Sequence, residues 1–555
     1  MQNHSSVDFT HNNQVPELKN YNLYLSDPAL NQLIKKIAPS LQSELSEKGA
    51  VLGVESTLRI AEDANQYPPE LHTHSRTGER IDFVKFHPAW HQMMVLARSN
   101  GIANRCFEDS SHQQQWLAYG ALEYMHGQIE AGTMCPNNMT QAAIPVLKKE
   151  DGLFAQLESK LLSKEHDARD IPWQQKVSVS IGMGMTEKQG GSDLRTNTTT
   201  ATALLEQGRG EQYQINGHKW FFSAPMCDAH LVLAKSEGGH SCFFVPRWLE
   251  DGTKNPIEIQ RLKNKVGNRS NASSEVLFKN AFGIMIGEEG RGIPVILEMA
   301  TYSRVNCILA SSGFLRQAFS QSLHYAKHRK AFGKYLVEQP LMARLLADMA
   351  LEGQAAMTMS LILASRFDTN TDEFGLAWRR FMTPAAKFWI CKRAIEVCGE
   401  AMEVFGGNGY VEDNQMGRLF REAPVNSIWE GSGNVICLDV LRAIARNPED
   451  AELVLTNMKN IGAQEARLVP LMTWLSNAVQ RIAKQRVEAV EIDARLLTQK
   501  LMMLAQACLL IEYANPSIAE AFIASRTDPD WGAVLGVSST ISEADAQRIL
   551  ALSWT

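Results

Sequence analysis

VSVSIGMGMTEKQGGSD, residues 177–193, is where the texture of this 555-residue chain changes. Before it, apolar residues recur three or four apart, as in LNQLIKKIAPSLQSELSEKGA (30–50) and QQQWLAYGALEYMHGQIEAG (113–132). That is the period of helices packing one face against a core. After it come short β-rich runs, among them TNTTTATALL (196–205), QYQINGHKWFF (212–222), HLVLAKS (230–236), HSCFFVP (240–246) and SSEVLFKN (273–280). Gly, Asn and Asp turns separate them at close spacing, which predicts a compact antiparallel barrel or sandwich. Helical periodicity returns at about 290 in long stretches, including 294–329 and TPAAKFWICKRAIEVCGEAMEVF (383–405). In the latter, Thr383 reads as an N-cap before Pro384, and Gly406 ends the helix. A further helical block follows a linker expected at Asn447-Pro448. The reading is an α+β protein of four units: 1–175 helical, 176–289 β, 290–446 helical and 447–555 helical. Helices and strands segregated in this way argue against a doubly wound sheet.

Composition sets outer limits. The chain is 45% apolar and 21% charged, and 55 basic against 61 acidic residues leave a net charge of −6. These values fit a globular protein with several cores and exclude a globally basic nucleic-acid binder. The nine cysteines are scattered without a C-x-x-C, so no zinc site or disulfide framework is expected. Cys391 and Cys398 read as core thiols. The first fifteen residues are polar, and are expected to be a mobile tip rather than a signal peptide. No apolar run is expected to have the length of a membrane span. The expected setting is the reducing cytoplasm.

Familiar cofactor and nucleophile signatures fail. No G-x-G-x-x-G joins a strand to a helix, and neither a Walker A loop nor a G-x-S-x-G elbow is present. His87 and His91 lie four apart, but the segment lacks a zincin Glu and places Pro88 after His87, so no metal site is expected. Two segments remain. MGMTEKQGGSD (183–193) combines small residues with the Thr186 and Ser192 hydroxyls, a combination that lets backbone N–H groups approach a flat or phosphorylated ligand; a plain Gly-rich hairpin is the alternative. VNSIWEGSGNVICL (425–438) brackets Glu430 between Trp429 and Gly431-Ser432-Gly433. A carboxylate beside a large aromatic loses solvation and gains basicity, which suits a general base. A surface-loop Glu is the alternative there.

Taken together with other segments, these stretches resemble the acyl-CoA dehydrogenase flavoproteins. MTEKQGGSD resembles their T-E-x-x-x-G-S-D, INGHKWFFSAP their N-G-x-K-x-W-I-T-N strand, and KVGNRSNASSEVLF their G-x-R-x-S strand. IGEEGRG, HRKAFG, EVFGGNGY and WEGSGN follow in the family's order, so that the matches cover roughly residues 80–445. The resemblance implies an N-terminal helical domain, a middle antiparallel β-barrel and a C-terminal four-helix bundle, here with an extra C-terminal helical domain. It implies FAD between the middle and bundle domains of a homotetramer. Met185, Thr186 and Ser192 would contact the flavin ring and pyrophosphate. Phe221, Phe222 and Ser223 would flank the isoalloxazine, with Phe221 at the family's usual Trp and Ser223 at its Thr. Ile428, Trp429, Gly431, Ser432, Gly433 and Asn434 would wrap the cofactor, and Arg329, Phe332 and Gly333 would reach the adjacent subunit's FAD. Glu430 falls on the general base that removes an acyl α-proton while hydride passes to the flavin. Glu403 replaces a family Gln, and the later Gln comes one place early at Gln339, both at positions that help to hold FAD across subunits.

The finer wording resembles the family's alkylation-response branch, which implies double-stranded DNA as a partner beside an acyl-CoA substrate. Phosphate binding requires clustered cations. Residues 447–555 hold nine Lys and Arg against thirteen Asp and Glu, a net of −4, whereas 301–446 has +3. The candidate DNA contacts are therefore the one basic stretch, Arg481, Lys484, Arg486, Arg495 and Lys500, with a solvated helix face as the alternative. A metabolic acyl-CoA dehydrogenase without a DNA role is the competing reading.

Overall fold

The computed structural model describes residues 13–108, 114–368, 372–532 and 534–555. Most of the expected mobile tip, and the start of the 113–132 segment, therefore lie outside the described residues. The N-terminal part carries α1 (Pro28–Ile37), α2 (Gln42–Gly53), α3 (Glu55–Gln66), α4 (Pro88–Ser99), α5 (Gln115–Gly127), α6 (Met134–Leu147) and α7 (Asp151–Leu161). It is not purely helical. Strands β1 (Glu70–His74) and β2 (Arg80–Lys85) pair antiparallel between α3 and α4.

The middle part is built from β3 (Ile181–Gly184), β4 (Thr200–Ala203), β5 (Gln212–Ser223), β6 (Ala229–Ser236), β7 (Gly239–Pro246), β8 (Ile257–Leu262) and β9 (Ser273–Ile286). Pairings run β6-β4-β5-β9-β7 and back to β6, closing a ring, with β3 added on β6 and β8 on β9. A closed ring leaves few unpaired backbone groups at its edges. Not every pair is antiparallel: β3 and β4 both run parallel to β6. Parallel neighbours need longer connections than hairpins do: β3 reaches its partner β6 only by way of β4 and β5, and the 185–199 loop carries the chain from β3 to β4.

The bundle is α8 (Gly292–His328), α9 (Pro340–Ser365), α10 (Glu373–Val404), α11 (Gly407–Tyr410), α12 (Gln415–Ile428) and α13 (Gly433–Arg446). Thr383 does not begin a helix. It is buried inside α10, which runs straight through Pro384. Packing of Phe381, Met382, Ala385 and Ala386, all nearly inaccessible, outweighs the one backbone hydrogen bond that proline removes. Gly406 does end α10, with φ +59° and its N–H donated to Glu403 O.

The last block comprises α14 (Pro448–Gly462), α15 (Val469–Lys484), α16 (Val487–Val490), α17 (Ala494–Tyr513), α18 (Pro516–Thr527) and α19 (Glu543–Ser553). No linker sets it apart, because Asn447 alone separates α13 from α14. The block is keyed into the bundle by buried charge. Arg526 on α18 pairs with Asp348 at 2.7 Å and Glu352 at 2.6 Å on α9, and Glu352 also meets Arg393 of α10 at 3.0 Å. The Arg316 guanidinium on α8 donates to Ser553 O. Two segments, Gly292–His328 and Val487–Tyr513, do have the length and hydropathy of a membrane span, contrary to the sequence expectation. More than half of each apolar window is buried against neighbouring elements, as in core helices.

Candidate active site

A cleft of about 900 Å³ opens between the barrel and the bundle. Its barrel wall carries Met185, Thr186, Ser192, Phe221 and Ser223, and its bundle wall carries Ser303, Arg304 and Asn306, with the 428–432 loop closing one side. The structure thus brings together the two segments singled out in sequence.

The barrel side is fixed by an ion pair that the sequence reading did not identify. Glu187, inside the 183–193 segment, meets the Lys219 ammonium of β5 at 2.7 Å, with both side chains fully inaccessible. The same carboxylate accepts the backbone N–H of Thr198 at 2.7 Å and of Thr199 at 3.1 Å. It therefore ties both arms of the loop to the barrel. Burial alone would raise the Glu187 carboxyl, but the ammonium and the loop donors hold it well below the usual carboxylate range. Gly191 faces Thr186 so closely that a Cβ would come within 2.6 Å of Oγ1. Backbone and hydroxyl are thereby laid open to the cleft.

Phe222 must be reassigned. A register shift in β5 between Lys219 and Phe222 turns both of these inward and leaves Trp220 and Phe221 outside. The Phe222 ring stacks on His230 at 4.0 Å inside the barrel, 1% exposed, and does not flank a cleft ligand. Three consecutive strand residues cannot all face one side. Phe221 is 54% exposed and lines the cleft together with Ser223.

On the bundle side, α12 ends at Ile428 and α13 begins at Gly433, and the loop between them holds Glu430 at φ +57°. A non-glycine residue in that region is uncommon and costs about 1 kcal/mol or more. Three carbonyls in succession are tethered by cations. Lys387 of α10 donates to Trp429 O at 2.7 Å and to Gly431 O, while Arg304 Nε of α8 donates to Glu430 O at 3.0 Å. Arg304 is held in turn by Asp439 at 2.9 Å. One carboxylate oxygen of Glu430, Oε2, is buried with no hydrogen-bond partner among the described residues. Burial pushes this carboxyl up to about 7, with Arg304 and Lys387 pulling the other way. A half-buried carboxylate of that basicity, with one oxygen buried and unpartnered and the residue lining a cleft, is equipped to take a proton from a bound ligand.

Ile428, Trp429, Gly431 and Ser432 line the cleft. Asn434 sits beyond it, accepting from Arg495 Nη1 at 2.8 Å, and Gly433 lies over the Lys392 side chain. Arg329, Phe332 and Gly333 are not brought to this cleft. Arg329, just past the end of α8, lies fifteen positions beyond Phe314, the last cleft residue on that helix, a rise of roughly 22 Å. Arg329 donates to Asn13 O, and Phe332 is 98% exposed at φ +51°. Three of the five candidate DNA cations have partners within the chain. Arg481 pairs with Asp493, Arg495 turns toward Asn434, and Lys500 lies over Trp474 at 5.3 Å, while Lys484 and Arg486 are exposed. Among the described residues no cluster of His, Cys, Asp and Glu could hold a metal ion.

With the geometry in place, comparison with known proteins is informative. Residues 13–168 match the family described as the adaptive response protein AidB N-terminal domain, 182–281 the acyl-CoA dehydrogenase middle domain, and 290–445 the acyl-CoA dehydrogenase C-terminal domain. The chain is 42% identical over 522 residues to AidB of Escherichia coli strain K12, which carries an acyl-CoA dehydrogenase name; the match covers 94% of each chain. Among solved structures, Caenorhabditis elegans ACDH-11 in complex with C11-CoA aligns at TM-score 0.83 and 23% identity, covering 100% of this chain and 93% of that one. Bd2924 in its apo form aligns at 0.81 and 26%, covering 90% and 100%.

Proposed function

The chain belongs to the AidB branch of the acyl-CoA dehydrogenase family, and from that membership we propose that it dehydrogenates an acyl-CoA thioester with Glu430 as the base. The observation that carries this reading is Glu430, with one carboxylate oxygen buried and unpartnered, lining a cleft large enough for a flat cofactor and a substrate. FAD is the cofactor of this family, and the residues present fit it. Thr186, Ser192 and Ser223 offer hydroxyl donors on one wall, Gly191 leaves the backbone open, and Phe221 supplies an exposed aromatic face. Met185 and the 428–432 loop would hold the ring from either side. When bound, FAD supplies the hydride acceptor.

The chain's own part is positional and basic. Glu430 accepts the α-proton of the thioester, which is acidified by the neighbouring carbonyl. Arg304 and Lys387 hold the loop that carries Glu430, and the cleft walls exclude water from the reacting carbons. Undecanoyl-CoA is a suitable probe, since the C. elegans relative binds C11-CoA. The base must be ionised to act, so the rate of flavin reduction by undecanoyl-CoA rises with pH through a midpoint near 7, where the carboxylate forms. A rate that is flat between pH 5 and 9 (roughly two units either side of that midpoint) removes Glu430 from this role.

The reading extends to a homotetramer in which Arg329, Phe332 and Gly333 complete a neighbour's FAD site, supported by the exposure of Phe332. Light scattering that returned one chain's mass, 61.8 kDa, would contradict it. A second reading places the protein in the adaptive response to DNA alkylation as a binder of duplex DNA without sequence readout, in the cytoplasm. The adaptive-response description of the N-terminal match supports it, while the acidic 447–555 block, and the partners already held by Arg481 and Arg495, weigh against it. Mobility shift of duplex DNA across a salt series decides: a shift that fades steeply with salt supports it, and no shift at low salt ends it.

A further inference from the structure

We infer that Lys387 and Arg304 are a two-sided clamp that holds the Glu430 loop in its left-handed backbone conformation, making both of them positioning residues for the base. The inference rests on the reading of Glu430 as that base. The geometry is specific. Three consecutive carbonyls, of Trp429, Glu430 and Gly431, accept hydrogen bonds from side-chain cations of two different helices. A peptide flip at Glu430 would turn at least one of these carbonyls away, so the donors stabilise the conformation that the side chain itself disfavours. Hydrogen bonds from charged donors are the stronger kind. Lys387 is 1% exposed and spends its contacts on backbone oxygens. A buried ammonium is costly unless its donors are well used. Here they are used on the catalytic loop.

The clamp has an electrostatic consequence. The groups that face the Glu430 carboxyl are Arg304 and Cys307 of α8, Lys387 of α10 and Cys135 of α6, with Asp439 of α13 behind Arg304. Of these, only Arg304 and Lys387 favour the ionised base, and burial opposes them. The donors that fix the loop therefore also keep the base from becoming more basic than its burial alone would make it. One cation on each side does both tasks.

Two measurements on Lys387→Met test this, with Lys387→Arg as the rescue. Hydrogen exchange followed by mass spectrometry on the FAD-loaded protein reads the loop directly. In Lys387→Met, amides 429–433 exchange at least about ten-fold faster than in the parent, as expected for losing two charged hydrogen bonds, while those of α14 and β6 do not change; Lys387→Arg restores protection. Flavin reduction by undecanoyl-CoA in the same variant shifts its pH midpoint upward by about one unit. Should Lys387→Met not fold, Arg304→Gln is read in the same way from the opposite side. Unchanged exchange in 429–433 overturns the clamp. If undecanoyl-CoA reduces neither parent nor variant, the dehydrogenase reading fails, and the exchange data still decide whether the clamp exists.

Discussion

Glu430→Gln retains FAD and loses its reduction by undecanoyl-CoA, by about 10²–10⁴-fold, the usual contribution of a positioned general base. The substitution keeps the size and fork of the side chain and removes its affinity for a proton. The backbone clamps on Trp429, Glu430 and Gly431 touch only carbonyls, so the loop keeps its conformation. The flavin absorption spectrum and the melting temperature of the loaded protein check that binding and fold survive. Rapid mixing with the acyl-CoA then reads the chemistry. Reduction at near the parent rate would mean that another group takes the α-proton.

Lys219→Met has the largest expected effect on stability. It leaves the Glu187 carboxylate inside the barrel without its cation, and removing one partner of a buried pair costs about 3–5 kcal/mol. The double variant Lys219→Met with Glu187→Gln recovers part of that loss, because no charge is then stranded. Urea unfolding of the single and double variants measures both. The sign of the pH dependence is fixed by the depressed carboxyl. In the parent, the pair's contribution is fully present above the unfolded carboxylate value of about 4.3, and it is lost as pH falls toward about 2. Equal stability of the single and double variants at neutral pH would contradict this account of the loop anchor.

Local pattern carried most of the architecture, and its failures have identifiable physical causes. The change of period near residue 177 located the barrel, because strand and helix spacings differ and the turns are rich in Gly and Asn. The β1–β2 hairpin escaped because its strands, ELHTH and RIDFVK, are only five and six residues long and lie between helical stretches. Pro384 misled because a proline near a Thr resembles a helix start, and only tertiary packing shows that α10 continues through it. Phe222 was placed in the cleft by a motif that reads residues consecutively, whereas a strand alternates and this one also bulges. At the site, Glu430 was visible as a carboxylate beside a Trp. Its left-handed backbone and its clamps were not, since Arg304 and Lys387 lie 126 and 42–44 residues away in sequence. A signal for Lys387 did exist: a lysine within the apolar run AAKFWI of a helix must either snorkel or find acceptors inside. Glu187 and Lys219 carried the same kind of signal, charged residues at inward-facing positions of strand-rich sequence.

Anaerobic single turnover of the FAD-loaded protein with undecanoyl-CoA tests the central claim most directly, because it follows the flavin and the thioester together. The account predicts that the flavin's visible absorption is lost while one equivalent of α,β-unsaturated thioester forms per FAD, at a rate that climbs through pH 7. A flavin that stays oxidised, with no unsaturated product from any chain length in an acyl-CoA series, would contradict it.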